Sequence, residues 1–322
     1  MTKPRIFDSL TWISALTGLL LAAFQFVWGE IPMSWQIAYF TLLIGATGIP
    51  HGALDHLIAK ANAEHQNKTF TISRFLLRYV TVIVLYGICW IQLPGLSLLI
   101  FLLISAWHFG ETDLHAANSI HLWQVCRFLW GNLVLLIILL THPEQTSAIV
   151  LRITGQSATA SNLLSFFFTN GFFLCTGLFF ICITVMFLVH KKAKWRFRSW
   201  SIFNLLLILG LTAYLPLLPA FALYFGGWHA IRSFEIIFTY LHSRNETAAI
   251  TPVTMWKNAL PMTFLAAFGF VFMAFIWKGT GLKMDPLPFV FIFLSVITLP
   301  HLDVMDKLIS IKGDTSRKNP RD

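Results

Sequence analysis

Long apolar runs joined by short polar links occupy the chain from end to end. About ten can be drawn, near 9–29, 34–58, 76–92, 95–114, 121–141, 161–189, 199–215, 218–240, 259–277 and 286–307. Such lengths suit the ~20 residues a helix needs to cross hydrocarbon. A backbone surrounded by lipid must satisfy its own hydrogen bonds, so helix is expected throughout. Pro94 marks the weakest division, between the third and fourth runs. No repeat, low-complexity segment or soluble domain interrupts the pattern. The expected fold is therefore all-α: a polytopic integral membrane bundle of about ten transmembrane helices, one domain over residues 1–322. A basic tail is expected at 308–322.

Composition agrees. Of 322 residues, 57% are apolar and 11% are Asp, Glu, Lys or Arg, and mean hydropathy is +0.71, values that place the chain in a membrane. The net charge of +9 brings nucleic acid to mind, but the basic residues sit in short links between apolar runs and no nucleic-acid motif is present. Membrane orientation explains them more simply. With the N-terminus inside, cytoplasmic segments carry Lys60, Lys68, Arg74, Arg78, the run KKAKWRFR at 191–198, Arg244, Lys257, Lys307, Lys312, Arg317, Lys318 and Arg321. External links keep only Arg152, Lys278 and Lys283. Both termini are thus expected in the cytoplasm. Lys3 and Arg5 precede a first apolar run too long for a signal peptide and without a clear cleavage site, which reads as a first spanning helix. Cys89, Cys126, Cys175 and Cys182 form no CxxC pair and read as small buried hydrophobes.

Polar residues inside the runs carry the chemistry. The second, fourth, eighth and tenth runs all pass from outside to inside, and each holds a histidine: His51 and His56 in GIPHGALDH, His108 in SAWHFGETD, His229 in YFGGWHAIRS and His301 in TLPHLDVMD. Four helices entering from one side can bring these positions to a common depth. Strongly polar groups in hydrocarbon need pairing, hydrogen bonding or coordination, and one metal ion would satisfy several imidazoles together. On a regular helix His51 and Asp55 share a face, whereas His56 points about 140° from His51. Pro50 can alter that turn, so spacing does not choose between His51 and His56 as a ligand. Asp55 is expected to accept a hydrogen bond from a ligand imidazole. Glu111, one turn from His108, can coordinate or hold another ligand, and Arg232, one turn from His229, can pair with Glu111, Asp55 or Glu235. His65, His115, His121, His142, His190 and His242 lie near links, where a solvent-facing role is expected, and Asp303 and Asp306 suit a hydrated inner rim.

Imidazole-rich ligation suits iron, copper, nickel or zinc. Neutral histidines around Fe(II) leave the metal positive with positions open for oxygen, whereas no nucleophile motif accompanies a hydrolytic zinc. An apolar setting favours oxidative chemistry on a long hydrocarbon. Other classes would use the same residues differently. A transporter would run an Asp, Glu and His relay, and a haem electron carrier would take two histidines from separate helices. Membrane hydroxylases and desaturases would show clusters such as HxxHH, which are absent.

At HGALDH (51–56), WHFGETD (107–113), YFGGWHAIR (224–232) and TLPH (298–301) the chain resembles the Brp/Blh family of membrane β-carotene 15,15′-dioxygenases. The ordered combination covers most of the chain. The resemblance implies a multi-pass protein of a prokaryotic plasma membrane that uses Fe(II) and O2. The reaction implied is cleavage of β-carotene or a related carotenoid from the lipid phase at its central double bond. Two all-trans-retinal result, without NAD(P)H. It makes His51 or His56, His108, His229 and His301 metal ligands, with Asp55, Glu111 and Arg232 supporting catalysis. Ser233 stands where the family often has a further histidine, which gives His301 or the second histidine of the first motif more weight. Association with a retinal-binding opsin also follows, and a non-catalytic carotenoid- or opsin-associated role is the alternative if Ser233 reflects lost activity.

Overall fold

The structure, a computed structural model, describes residues 5–115, 121–193, 199–244, 250–279 and 286–317. Fourteen α-helices and two π-helical turns follow in order among them. The first four are α1 (Arg5–Trp28), α2 (Met33–Leu43), α3 (Ile49–Gly52) and α4 (Asp55–His65), with π1 (Ile44–Gly48) joining α2 to α3. Next come α5 (Ile72–Gln92), α6 (Pro94–Asp113), α7 (His121–Leu140), α8 (Pro143–Ile153), α9 (Ala158–Ala193) and α10 (Ser199–Tyr214). Last are α11 (Leu217–Tyr224), π2 (Phe225–Ala230), α12 (Ile231–Arg244), α13 (Pro252–Gly279) and α14 (Pro286–Arg317). No strand occurs among the described residues.

Among the described residues, eight stretches are long and apolar enough to cross a membrane, the composite α2 to α4 counting as one of them. The seventh run expected from the sequence corresponds to a shorter apolar helix, Ile202–Tyr214. The eighth corresponds to the broken helix α11–π2–α12. The fold is an all-α polytopic membrane bundle. In the charge pattern, residues 194–198, Lys283, Lys318 and Arg321 lie outside the described residues. α14 continues through Arg317, so the basic tail expected at 308–322 begins within a helix.

Packing is tightest where side chains are smallest. α6 and α7 run together along their length, and a Cβ on Gly110 would lie 1.8 Å from the Arg127 carbonyl oxygen. One on Gly131 would lie 1.7 Å from that of Ala106. The two backbones therefore touch, as small-residue crossings in membranes allow. α7 also packs on α9, while α14 lies against α4, α5, α6 and α8. The buried core gathers around Trp123, Trp130, Leu223, Tyr224 and Trp228.

Two expectations are corrected here. Cys89 is exposed on α5 rather than buried, while Cys126 and Cys182 are buried. His142 is buried, with its ring between the carbonyls of Ile138 and Leu215, so it ties the end of α7 to the end of α10 instead of meeting solvent. A chain turn that leaves backbone carbonyls unpaired away from water favours an imidazole that can reach them.

Substituting Gly131→Ala is expected to force α6 from α7 and lower stability by about 1–3 kcal/mol or more. Thermal unfolding in detergent would register this as a lowered midpoint. Gly177→Ala, in α9 with nothing within 4 Å of the added Cβ, should leave the midpoint unchanged. Equal behaviour of the two variants would refute the close crossing.

Candidate metal centre

The two π turns are the local device that sets the centre. Pro50 has no N–H to give the Ala46 carbonyl in an α-helical register, and the Trp256 indole of α13 donates to that carbonyl instead, at 3.0 Å. The chain widens over π1, where the Ile49 N–H reaches back to the Ile44 carbonyl. π2 crosses π1 directly. A Cβ on Gly226 would meet the Leu43 carbonyl oxygen at 2.9 Å, and one on Gly48 would meet the Phe225 ring at 3.1 Å. The Thr47 hydroxyl is shared between the Leu43 carbonyl at 2.7 Å and the Gly226 carbonyl at 2.8 Å. It thus supplies a donor where a π turn disturbs the helical ladder. This crossing aims His51, from α3, and His229, from π2, at one point.

His108 from α6 and His301 from α14 complete a group of four rings. Centroid separations are 5.0 Å for His51–His301, 5.5 Å for His51–His229, 4.6 Å for His108–His229 and 5.0 Å for His108–His301. All four residues are buried. One ligand atom from each of His51, His108 and His301 lies within 4.8 Å of the others. Asp55 Oδ1 is 2.8 Å from His301 Nδ1. Taking that nitrogen as the donor leaves His301 Nε2 as a lone pair, and this atom has no hydrogen-bond partner. Neither nitrogen of His108 or of His229 has one. A buried polar group left unmet costs about 1–3 kcal/mol, and a cation shared by the rings would relieve several such costs. The donor set fits a metal of the iron-to-zinc series: neutral imidazoles, with one carboxylate fixing a tautomer. Phe225 stacks on His229 at 5.6 Å and Phe109 lies 4.8 Å from it, which walls the centre with aromatic carbon.

The other candidates are placed differently. His56 lies apart from the four, its Nδ1 2.9 Å from the Ala53 carbonyl, because a turn at Ala53 and Leu54 separates α3 from α4. Glu111 is buried facing the Arg127 guanidinium across the α6–α7 crossing. Arg232 pairs with Glu235 at 2.6 Å and lies over the Trp228 ring. Ser233 is buried with its hydroxyl unpartnered. Asp303 meets Arg78 at 3.0 Å and Lys307 at 2.7 Å, on a half-exposed rim as expected.

Sequence reasoning missed three residues. Asp113, fully buried, accepts hydrogen bonds from the Trp130 indole at 3.0 Å, the Tyr224 hydroxyl at 2.9 Å and the Trp228 indole at 2.7 Å. It therefore binds α6, α7, α11 and the π2 turn that carries His229. Its position in WHFGETD offered a hint. Arg127 offered a plainer one, as a lone cation inside an apolar run. Tyr79, whose hydroxyl donates to Asp55 Oδ2 at 3.1 Å, gave none, since α5 otherwise reads as a lipid-facing helix.

A cavity of about 1070 Å³ adjoins the centre. His51, His108 and His301 contribute to its wall together with Asp55 and Tyr79. The remaining wall is overwhelmingly aliphatic and aromatic, drawn from α5, α6 and α8 and also from α11, α13 and α14.

His301→Ala is expected to strip most of the bound metal from purified protein. Asp55→Asn should weaken binding about 10–100-fold, the usual effect of losing a ligand's hydrogen-bond partner, while His56→Ala should retain wild-type metal content. Elemental analysis of the three variants checks this, and metal loss in His56→Ala alone would contradict the grouping.

A profile of the family described as β-carotene 15,15′-dioxygenase matches residues 42–309. A curated relative from an uncultured marine bacterium, named β-carotene 15,15′-dioxygenase, is 28% identical over 271 residues, covering 82% of this chain and 90% of its own. No solved structure matches. The matched region contains all four clustered histidines, Asp55, both π turns and most of the cavity wall, so the chain belongs to the β-carotene 15,15′-dioxygenase family.

Proposed function

We propose that this protein cleaves β-carotene, or a closely related carotenoid, at the central 15,15′ double bond with O2, giving two molecules of all-trans-retinal. The observation that carries the reading is the four-imidazole centre adjoining a large apolar cavity. At about 1070 Å³ the cavity exceeds the ~300–1,000 Å³ usual for ligand pockets. Its walls suit a long hydrocarbon, and three of the four histidines stand in them.

His51, His108, His229 and His301 would hold Fe(II). When bound, the iron supplies activation of O2 beside the polyene. Asp55 holds the Nδ1 proton of His301, which leaves Nε2 as the electron-pair donor. Phe109 and Phe225 exclude water next to His229. The cavity wall orients the polyene by shape, because a hydrocarbon presents no group for hydrogen bonding. The reaction balances without a reductant: the C=C bond and the O–O bond break, and two C=O bonds form. Arg232, paired with Glu235, and Glu111, buried on α6 near Arg127, support the helices around the centre rather than the reacting atoms.

The membrane assignment extends this reading. Arg78, Asp303 and Lys307 meet at one end of the bundle, which supports placing that end and both termini in the cytoplasm. A bacterial relative supports a prokaryotic plasma membrane. Carotenoid would reach the site from the lipid phase, and a retinal-binding opsin is the partner expected to take the product.

The test is product analysis with anaerobically purified, Fe(II)-loaded protein in detergent given β-carotene and O2. Two retinals per β-carotene are expected, each carrying label from 18O2, with no product from metal-free protein or from His108→Ala. Aldehydes of unequal chain length would overturn central cleavage. Dependence on NAD(P)H would point to a hydroxylase or desaturase, and absence of any aldehyde from iron-bound protein would sink the enzymatic reading.

A further inference from the structure

Tyr79 occupies an unusual place. It lies on α5, whose exposed side chains beyond Arg78 and Thr81 are mainly apolar, Val84, Leu85, Ile88 and Ile91 among them. Its ring forms part of the cavity wall. Its hydroxyl turns inward and is shared between Asp55 Oδ2, at 3.1 Å, and the Ile297 carbonyl oxygen, at 3.3 Å. Both acceptors bear on the same histidine.

The first acceptor bears on it through Asp55. The carboxylate gives Oδ1 to His301 Nδ1 at 2.8 Å, so the Tyr79 hydroxyl on Oδ2 limits rotation about the bond that would carry Oδ1 out of line. Each carboxylate oxygen then has one donor, from α14 and from α5, while the residue itself belongs to α4. The second acceptor bears on it through the backbone. Ile297 is one turn before His301 on α14, and Pro300 lies between them inside the helix. Proline removes one helical donor and disturbs the ladder beside it. A phenol hydroxyl anchored at that turn fixes the stretch of α14 from which His301 projects.

We propose that Tyr79 is a positioning residue for the metal centre: it sets the orientation of His301 through Asp55 and the Ile297 carbonyl, and its ring joins that support to the wall lining the substrate cavity. The proposal rests on the reading of His301 as a metal ligand. A tyrosine serving packing alone would require neither the alignment on Asp55 nor the contact beside Pro300.

The test compares wild-type protein with Tyr79→Phe and His301→Ala, using Co(II) as a probe of the centre in metal-stripped full-length protein. Phenylalanine keeps the ring, so the cavity wall and packing are retained. In Tyr79→Phe, Co(II) should bind about 10-fold more weakly, at the low end of the effect of losing support around a ligand, and its visible absorption band should shift. The β-carotene absorption change on binding should stay within about twofold of wild type in half-saturating concentration. Wild-type Co(II) affinity and an unshifted band in Tyr79→Phe would overturn the proposal, provided His301→Ala weakens Co(II) binding. If His301→Ala binds Co(II) as wild type does, the ligand assignment itself fails and this proposal falls with it. Weakened carotenoid binding with an unchanged Co(II) band would assign Tyr79 to the substrate wall alone and likewise overturn it.

Discussion

Four imidazole rings whose neighbouring centroids lie 4.6–5.5 Å apart inside an apolar bundle are the constraint to which the remaining architecture answers. Water is scarce at such a point, and an unmet ring nitrogen there is destabilising. Only His301 among the four has a side-chain partner that fixes its tautomer. The other rings gain little by facing one another, since each needs a donor or an electron-pair acceptor of its own. A cation would satisfy that need for several of them together and would turn an unfavourable cluster into a stable one. Residues spread from α3 to α14 would thereby be tied at one locus.

The helices around the cluster are shaped to permit it. Two apolar helices of ordinary register would cross with side chains between them, near 8–10 Å apart. Here π1 and π2 meet through Gly48 and Gly226, with the Thr47 hydroxyl bound to a carbonyl of the opposite turn. Each widened turn swings the following residues around the helix axis, which is how His51 and His229 come to face His108. Trp256 and Asp113 stabilise the irregular turns from outside: one supplies the donor that Pro50 lacks, and the other gathers three donors beside π2. Local departures from α-helix are thus repaid by hydrogen bonds made nearby.

Much of this was legible in the sequence. Apolar run length and the positions of His51, His108, His229 and His301 depend on residue type and spacing, which a sequence displays directly. The choice between His51 and His56 was not, because it turns on a break at Ala53 and Leu54 that periodicity treats as continuous helix. Arg232 was a candidate partner of three acids, and its proximity to Glu235 on the same helix prevailed. Glu111 was drawn toward the histidines by its spacing from His108, yet the charge of Arg127 on the neighbouring helix lies near it, a proximity that only the α6–α7 crossing creates. His142 looked like a loop residue, and only the folded chain brings the Leu215 carbonyl to its ring. Tyr79 left no trace at all, since a single hydroxyl on a lipid-facing helix resembles an interfacial tyrosine.

The distribution of polar groups separates support from chemistry. Asp113 has three donors, Arg232 has Glu235, and Asp303 has two cations at the rim. These groups have protein partners and hold helices in place. The ring nitrogens of His108 and His229 have none, and neither has Nε2 of His301. Three of the four histidines also line a cavity whose other walls are almost wholly hydrocarbon. Buried Glu111 Oε2 and Arg127 Nη2 lack a partner as well, so what sets the histidine nitrogens apart is their place beside the space where a substrate fits. A centre built into one part of an apolar cavity would act on a polyene only there, so the position of a cut would be set by how far the cavity extends on either side of the histidines.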